Sequence, residues 1–168
     1  MKKLTTTDVF GKKYEANADS LNLKIHVYGI ATQRDKVLIV PQYDGYDWPG
    51  GTLHLGETHI DTLKREFKEE TGYQVEPAQL LSVYTSFFHH QKRKENYQSL
   101  LIFYTVRITG GEISANGFDE DEKEYASKAK WINVDELETM RHACSINIES
   151  ELIDFAKNLI KPNKERAN

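Results

Sequence analysis

Glu66, Glu69 and Glu70 stand at i, i+3 and i+4 in the run "REFKEET". A helix through them sets three carboxylates on adjoining faces, where each opposes the ionisation of the others. One reading is a solvated acidic face, partly relieved by Lys64, Arg65 and Lys68. The other is a cation site. Hard divalent cations such as Mg2+ take oxygen ligands, usually one or two protein carboxylates together with the phosphates of a substrate. The run "PGG", Pro49 to Gly51, lies just upstream and lets backbone approach a ligand closely, with a carbonyl to complete the shell.

The elements that position these acids follow from patterning. Thr58 is a suitable N-cap with Asp61 placed for a capping box, and Gly72 can close the helix in the left-handed conformation. Ile60, Leu63 and Phe67 recur at helical spacing and are expected to face the core, which leaves the three glutamates near the opposite side. Upstream, "LKIHVYGIAT" and "KVLIVPQ" read as a hairpin turning at Gln33 to Asp35. Downstream, "QLLSVYTSFF" and "SLLIFYTVRI" read as a second hairpin across the polar stretch "HHQKRKENYQ". A polar, acidic loop leads to a strand at "AKWINV" and a short helix around "DELETM". The last helix is expected to bury Ile148, Leu152, Phe155 and Leu159 on one face. Strands mixed with few, irregularly placed helices predict an α/β sandwich with a mixed sheet.

At 168 residues the chain has the size of one domain. Residues 1–22 read as a polar leader, 23–160 as the domain and 161–168 as a charged tail, with both ends loosely held. A net charge of −4 gives no general attraction to duplex nucleic acid or to anionic lipid. No stretch has signal-peptide or membrane-span character, so a cytoplasmic location with no membrane partner is expected. The single cysteine, Cys144, excludes an internal disulfide and any multi-cysteine metal site.

The segment from Gly51 to Tyr73 resembles the Nudix box. Gly51, Glu57, Arg65, Glu66, Phe67, Glu69, Glu70, Gly72 and Tyr73 fall at its positions, and the seven fixed ones are all filled. A chance match at one start is on the order of one in a hundred million. Phe67 and Tyr73 stand where the family more often has aliphatic residues. The resemblance implies the Nudix fold, an α/β/α sandwich, and hydrolysis of the phosphoanhydride of a nucleoside diphosphate linked to another moiety, of the nucleoside triphosphate or nucleotide sugar class. It implies Mg2+, with Mn2+ as a substitute, held by Glu66 and Glu70, with Glu69 as a further ligand and the carbonyl of Gly51 in the shell. Arg65 then orients the glutamates, and Glu57 braces the loop. The general base is either Glu66 or an acid of the loop "DEDEKEY", Glu124 before Glu120 and Glu122.

The substrate is less legible. The proline that often follows the box in ADP-ribose-cleaving members, and the tyrosine of those cleaving dinucleoside polyphosphates, fall where this chain has Phe88 and His89. Tyr43, Tyr46, Phe87, Phe88 and Tyr97 are candidates to stack on a base, Tyr46 and Phe88 foremost. The basic tip from Gln91 to Lys94 reads as a solvated hairpin end. His89 and His90 point to opposite faces of a strand and are poor co-ligands for one ion. The partners expected are a small-molecule nucleotide and, as an open alternative, a second copy of the chain. A non-hydrolytic module that senses a nucleotide or nucleotide sugar is the competing function.

Overall fold

A computed structural model describes residues 2–114, 117, 126–143 and 149–160. Near the N-terminus, β1 (Lys3–Thr7) and β2 (Lys13–Asn17) form an antiparallel hairpin. β1 bridges in parallel from Thr7 to Phe88, at the edge of a larger sheet. The segment expected to be a loosely held leader is thus a structured hairpin. Thr6 and Ala16 are buried within it, and Thr6 Oγ1 meets Asn96 Oδ1 at 2.9 Å.

Next come β3 (Leu21–Ile30), β4 (Thr32–Gln33), β5 (Lys36–Gln42), β6 (Gly45–Asp47) and β7 (Gly50–Thr52). The turn expected at Gln33 to Asp35 is present, but it joins β5 to β4 and not to β3. β3 ends before Ala31 and stays in the larger sheet. Helix α1 (His59–Thr71) follows, then the long strands β8 (Tyr73–His90) and β9 (Glu95–Gly111), the short strand β10 (Lys130–Asn133), a 3-10 helix at Val134–Thr139, and α2 (Glu149–Ile160).

The larger sheet is mixed, with strand order β2-β1-β8-β9-β3-β7. β8 and β9 are antiparallel, whereas β9 and β3 run parallel along the whole of β3. A second sheet has the order β10-β5-β4, with β6 on the side of β5.

Alternation along β3 and β9 divides the apolar residues between two cores. Tyr28, Ile30, Leu101 and Phe103 pack with Leu152, Ile153 and Ala156 of α2. Val27 and Ile102 pack with Leu63 and Phe67 of α1. Helices therefore cover both faces, which is the α/β/α sandwich expected.

The buried stripe of α2 differs from expectation. Leu152, Ile153 and Ala156 are buried, while Phe155 and Leu159 are exposed. Ala156 is fully buried in the core with Leu152 and Ile153, where a larger side chain would have to displace its neighbours. Ile148 lies outside the described residues, as do Cys144 and the tail from 161.

Candidate active site

The helix that carries the acids is fixed at both ends. Thr58 Oγ1 accepts from the Asp61 N–H at 3.2 Å, and the Asp61 carboxylate accepts in return from the Thr58 N–H at 3.1 Å. At the other end Gly72 takes φ +80° and donates its N–H to the Lys68 carbonyl. Leu63 and Phe67 are fully buried. Phe67 lies directly on β3 at Gly29, where a Cβ would stand 2.9 Å from its ring.

That seating turns the acids inward. Glu66 is only 7% exposed and Glu70 only 3%, so the expectation of a face opposite the core holds for neither. Both face β7, Glu70 through a hydrogen bond from Gly50 and Glu66 through the room at Gly51. The Gly50 N–H donates to Glu70 Oε2 at 2.8 Å. A Cβ on Gly51 would stand 2.5 to 2.6 Å from the Glu66 carboxylate atoms. Gly50 itself has φ +149°, and a Cβ there would strike the Val27 carbonyl oxygen at 2.1 Å. Gly51 therefore leaves room for Glu66 at the sheet edge, while Gly50 binds Glu70 through its N–H.

Arg65 joins the remaining acids. Its Nε donates to Glu57 Oε1 at 2.6 Å and its Nη2 to Glu57 Oε2 at 2.9 Å, a bidentate fork. Nη1 meets Glu66 at 2.8 Å and Glu69 at 3.0 Å, and Nη2 also reaches the Thr52 carbonyl at 3.2 Å. The hydrogen bonds from Arg65, with help from the His54 N–H and the Thr62 hydroxyl, hold the Glu57 carboxyl down at about 2. Glu57 in turn raises the Arg65 guanidinium above its ordinary range. One guanidinium thus touches three carboxylates, and the surplus of negative charge beside Glu70 suits a cation.

Glu66, Glu69, Glu70, Arg65 and Gly51 line one cleft of about 1240 Å³. Among the described residues no three His, Cys, Asp or Glu side chains form a ready-made cation cage. The donor set still fits a hard cation. Two buried carboxylates beside a third at the surface match an ion that takes few protein ligands and fills its shell from water and substrate phosphates.

The other predicted residues divide. Phe88 lines the cleft, as do Tyr43 and Tyr97. Tyr46 does not: it is fully buried, edge-on to Trp48 and His142, with its hydroxyl 3.5 Å from Glu149. It is a core residue and has no face to offer a base. Phe87 does not line the cleft, because it alternates with Phe88 along β8. Glu120, Glu122 and Glu124 lie outside the described residues. His89 stacks on Tyr14 and pairs with Asn96, while His90 Nδ1 accepts from the Arg93 N–H, so the two imidazoles do not converge. The tip read as a solvated hairpin end contributes Lys92 and Arg93 to the cleft wall.

Sequence reasoning missed Lys24, His26 and Phe10, which also line the cleft. Lys24, His26 and Tyr28 share one face of β3 by alternation, a signal hidden by the apolar residues between them. Burial, then the nearby Lys24 charge, holds His26 down at about 4.

The model of the NUDIX domain family matches residues 22–149. An ADP-ribose pyrophosphatase of Methanocaldococcus jannaschii is 29% identical, over 73% of this chain and 79% of its own. An uncharacterized Nudix hydrolase of Bacillus subtilis is 27% identical, over 72% of this chain and 71% of its own. Among solved structures, an ADP-ribose pyrophosphatase from Streptococcus suis superposes with a TM-score of 0.57 at 22% identity, covering 83% of this chain and 93% of its own. That last likeness shows the fold.

Proposed function

The chain belongs to the Nudix family, and from that membership we propose that it is a Mg2+-dependent pyrophosphohydrolase acting on a nucleoside diphosphate linked to another moiety. ADP-ribose is the first substrate to test, because a relative matched over most of its length bears that name. One observation carries the reading: Glu66 and Glu70 are buried at a cleft wall against Gly50 and Gly51, with Arg65 holding Glu66, Glu69 and Glu57 in place. A structural role alone would not favour burying two acids beside a third, since burial and like charge both oppose ionisation.

Glu66, Glu69 and Glu70, with the Gly51 carbonyl, would hold the ion. Mg2+ supplies charge neutralisation on phosphate oxygens and a water of lowered pKa. The chain's own part is positional. Arg65 fixes the carboxylates through its fork to Glu57, and a carboxylate within hydrogen-bond reach takes the proton of the attacking water as the phosphoanhydride P–O bond breaks. Glu66 is the candidate for that base among the described residues.

The test is a panel of nucleotide sugars including ADP-ribose, nucleoside triphosphates, dinucleotides and dinucleoside polyphosphates, incubated with protein and Mg2+ and with a metal-free control. Release of a nucleoside monophosphate from ADP-ribose only when metal is present supports the full reading. Turnover of another class keeps the reaction and replaces the substrate. Metal-independent turnover, or none, overturns it.

A further inference from the structure

Two large aromatic side chains stand at the cleft on segments that the carboxylate site does not use. Phe10, in the turn between β1 and β2, is 61% exposed, and Tyr43, between β5 and β6, is 49% exposed. Both line the same cleft as Glu66 and Glu70. Their rings meet edge to face, with centroids 5.9 Å apart at 70°. The Arg141 guanidinium lies 5.8 Å from the Phe10 ring centre, and it also donates to the Val9 carbonyl and to the Asp44 carboxylate. Three segments remote in sequence are tied together at this one place.

The turn that carries Phe10 is braced from within. Asp8 is buried, and its carboxylate accepts from the Phe10 and Lys12 N–H groups, each at 2.9 Å, and from the Tyr14 hydroxyl at 3.0 Å. The Gln91 amide, from the tip of the β8–β9 hairpin, donates to the same carboxylate. Tyr43 has φ +50°, the left-handed conformation that the two-residue turn between β5 and β6 calls for, so the turn fixes where its ring projects. A phenylalanine more than half exposed has little packing reason to sit on so rigid a turn. A flat ligand supplies one, because a preorganised aromatic face loses little entropy on stacking.

We infer that Phe10, supported by Tyr43 and Arg141, is a stacking surface for the nucleobase of the substrate. The hairpin that carries it lies before residue 22, where the family match begins. The site would therefore gain its base affinity from a segment outside the stretch that the family match covers. Stacking tolerates different bases, so the surface governs how tightly a nucleotide binds more than which base is chosen. The inference takes the nucleotide class from the proposed function, yet its test does not need turnover.

Calorimetric titration of AMP, GMP, CMP and UMP, with inorganic pyrophosphate as the baseless probe, is carried out on the wild-type chain, Phe10→Ala and Phe10→Trp. Loss of one base–aromatic stack weakens monophosphate binding by roughly five- to 150-fold in Phe10→Ala. Phe10→Trp restores it, and pyrophosphate affinity stays unchanged in both. The inference is overturned if no monophosphate binds the wild type, if Phe10→Ala binds them as the wild type does, or if pyrophosphate affinity falls in parallel. The hydrolysis panel fails separately: a wild type that binds AMP through Phe10 and cleaves nothing removes the enzyme reading and leaves the stacking surface standing.

Discussion

Gly51→Ala perturbs the candidate site without altering any charge. A Cβ at this position would stand 2.5 Å from Glu66 Cδ and 2.6 Å from both carboxylate oxygens, whereas ordinary contact begins at 3.4 Å. The carboxylate must therefore withdraw by about 0.9 Å, or α1 and β7 must part, in a close-packed environment. The end of a side chain yields more easily than backbone. Stability should thus fall by only ~1 kcal/mol, the low end for overpacking, which moves Tm by about 2 to 4 °C in a chain of this size. Activity is more sensitive, since misplacing a reacting group by about 1 Å costs on the order of 100-fold. That is roughly 2.7 kcal/mol of lost transition-state stabilisation. The assay is kcat/KM for the substrate found in the panel, at saturating Mg2+, beside thermal unfolding of the same preparation. Wild-type kcat/KM in Gly51→Ala refutes the placement of Glu66. A collapse of Tm by tens of degrees refutes it differently, by making the glycine a requirement of the fold.

Two further perturbations probe the supporting groups. Arg65→Lys keeps the charge but loses the fork to Glu57, so activity or metal affinity should fall about 10- to 100-fold, with little change in Tm because partly exposed ion pairs stabilise weakly; steady-state kinetics across a Mg2+ titration reads both effects. His26 titrates at about 4 in the folded chain and near 6.5 when unfolded, so the unfolded state binds more protons in between. Stability should fall as pH drops from about 6.5 towards 4, by up to roughly 3 kcal/mol, and His26→Gln should remove that part of the slope in urea unfolding curves recorded across the range.

The helix bearing the acids was legible because its limits rest on local chemistry. Thr58, Asp61 and Gly72 act through bonds to near neighbours, and Leu63 and Phe67 repeat at the helical period. What periodicity could not give was the burial of Glu66 and Glu70. A pattern of apolar residues assigns charged positions to water, and β7, brought alongside by the fold, reverses that assignment through the room at Gly51 and the N–H of Gly50. Tyr46 misled for the related reason that an aromatic in a turn-rich run gives no sign of its depth, and here it closes the core against Trp48. The N-terminal hairpin was missed because "KLTTT" and "KYEAN" carry almost no apolar alternation. Their pairing depends on each other and on the edge of β8. In α2 the helix was plain, but Phe155 and Leu159 outweighed the small Ala156 that is actually buried in the core.

The central claim, that the inward-facing glutamates bind the metal that hydrolysis requires, is tested most directly at Glu70. Replacement by Gln keeps the shape and an oxygen to accept from the Gly50 N–H, and removes one charge from the buried group. Wild type and Glu70→Gln are compared for Mg2+-dependent hydrolysis of the substrate that the panel identifies, each with its thermal unfolding curve. The expected result is a loss of at least about 100-fold in rate, in a variant that unfolds at the wild-type temperature or slightly above it without metal. Equal Mg2+-dependent rates in the two proteins would contradict the claim.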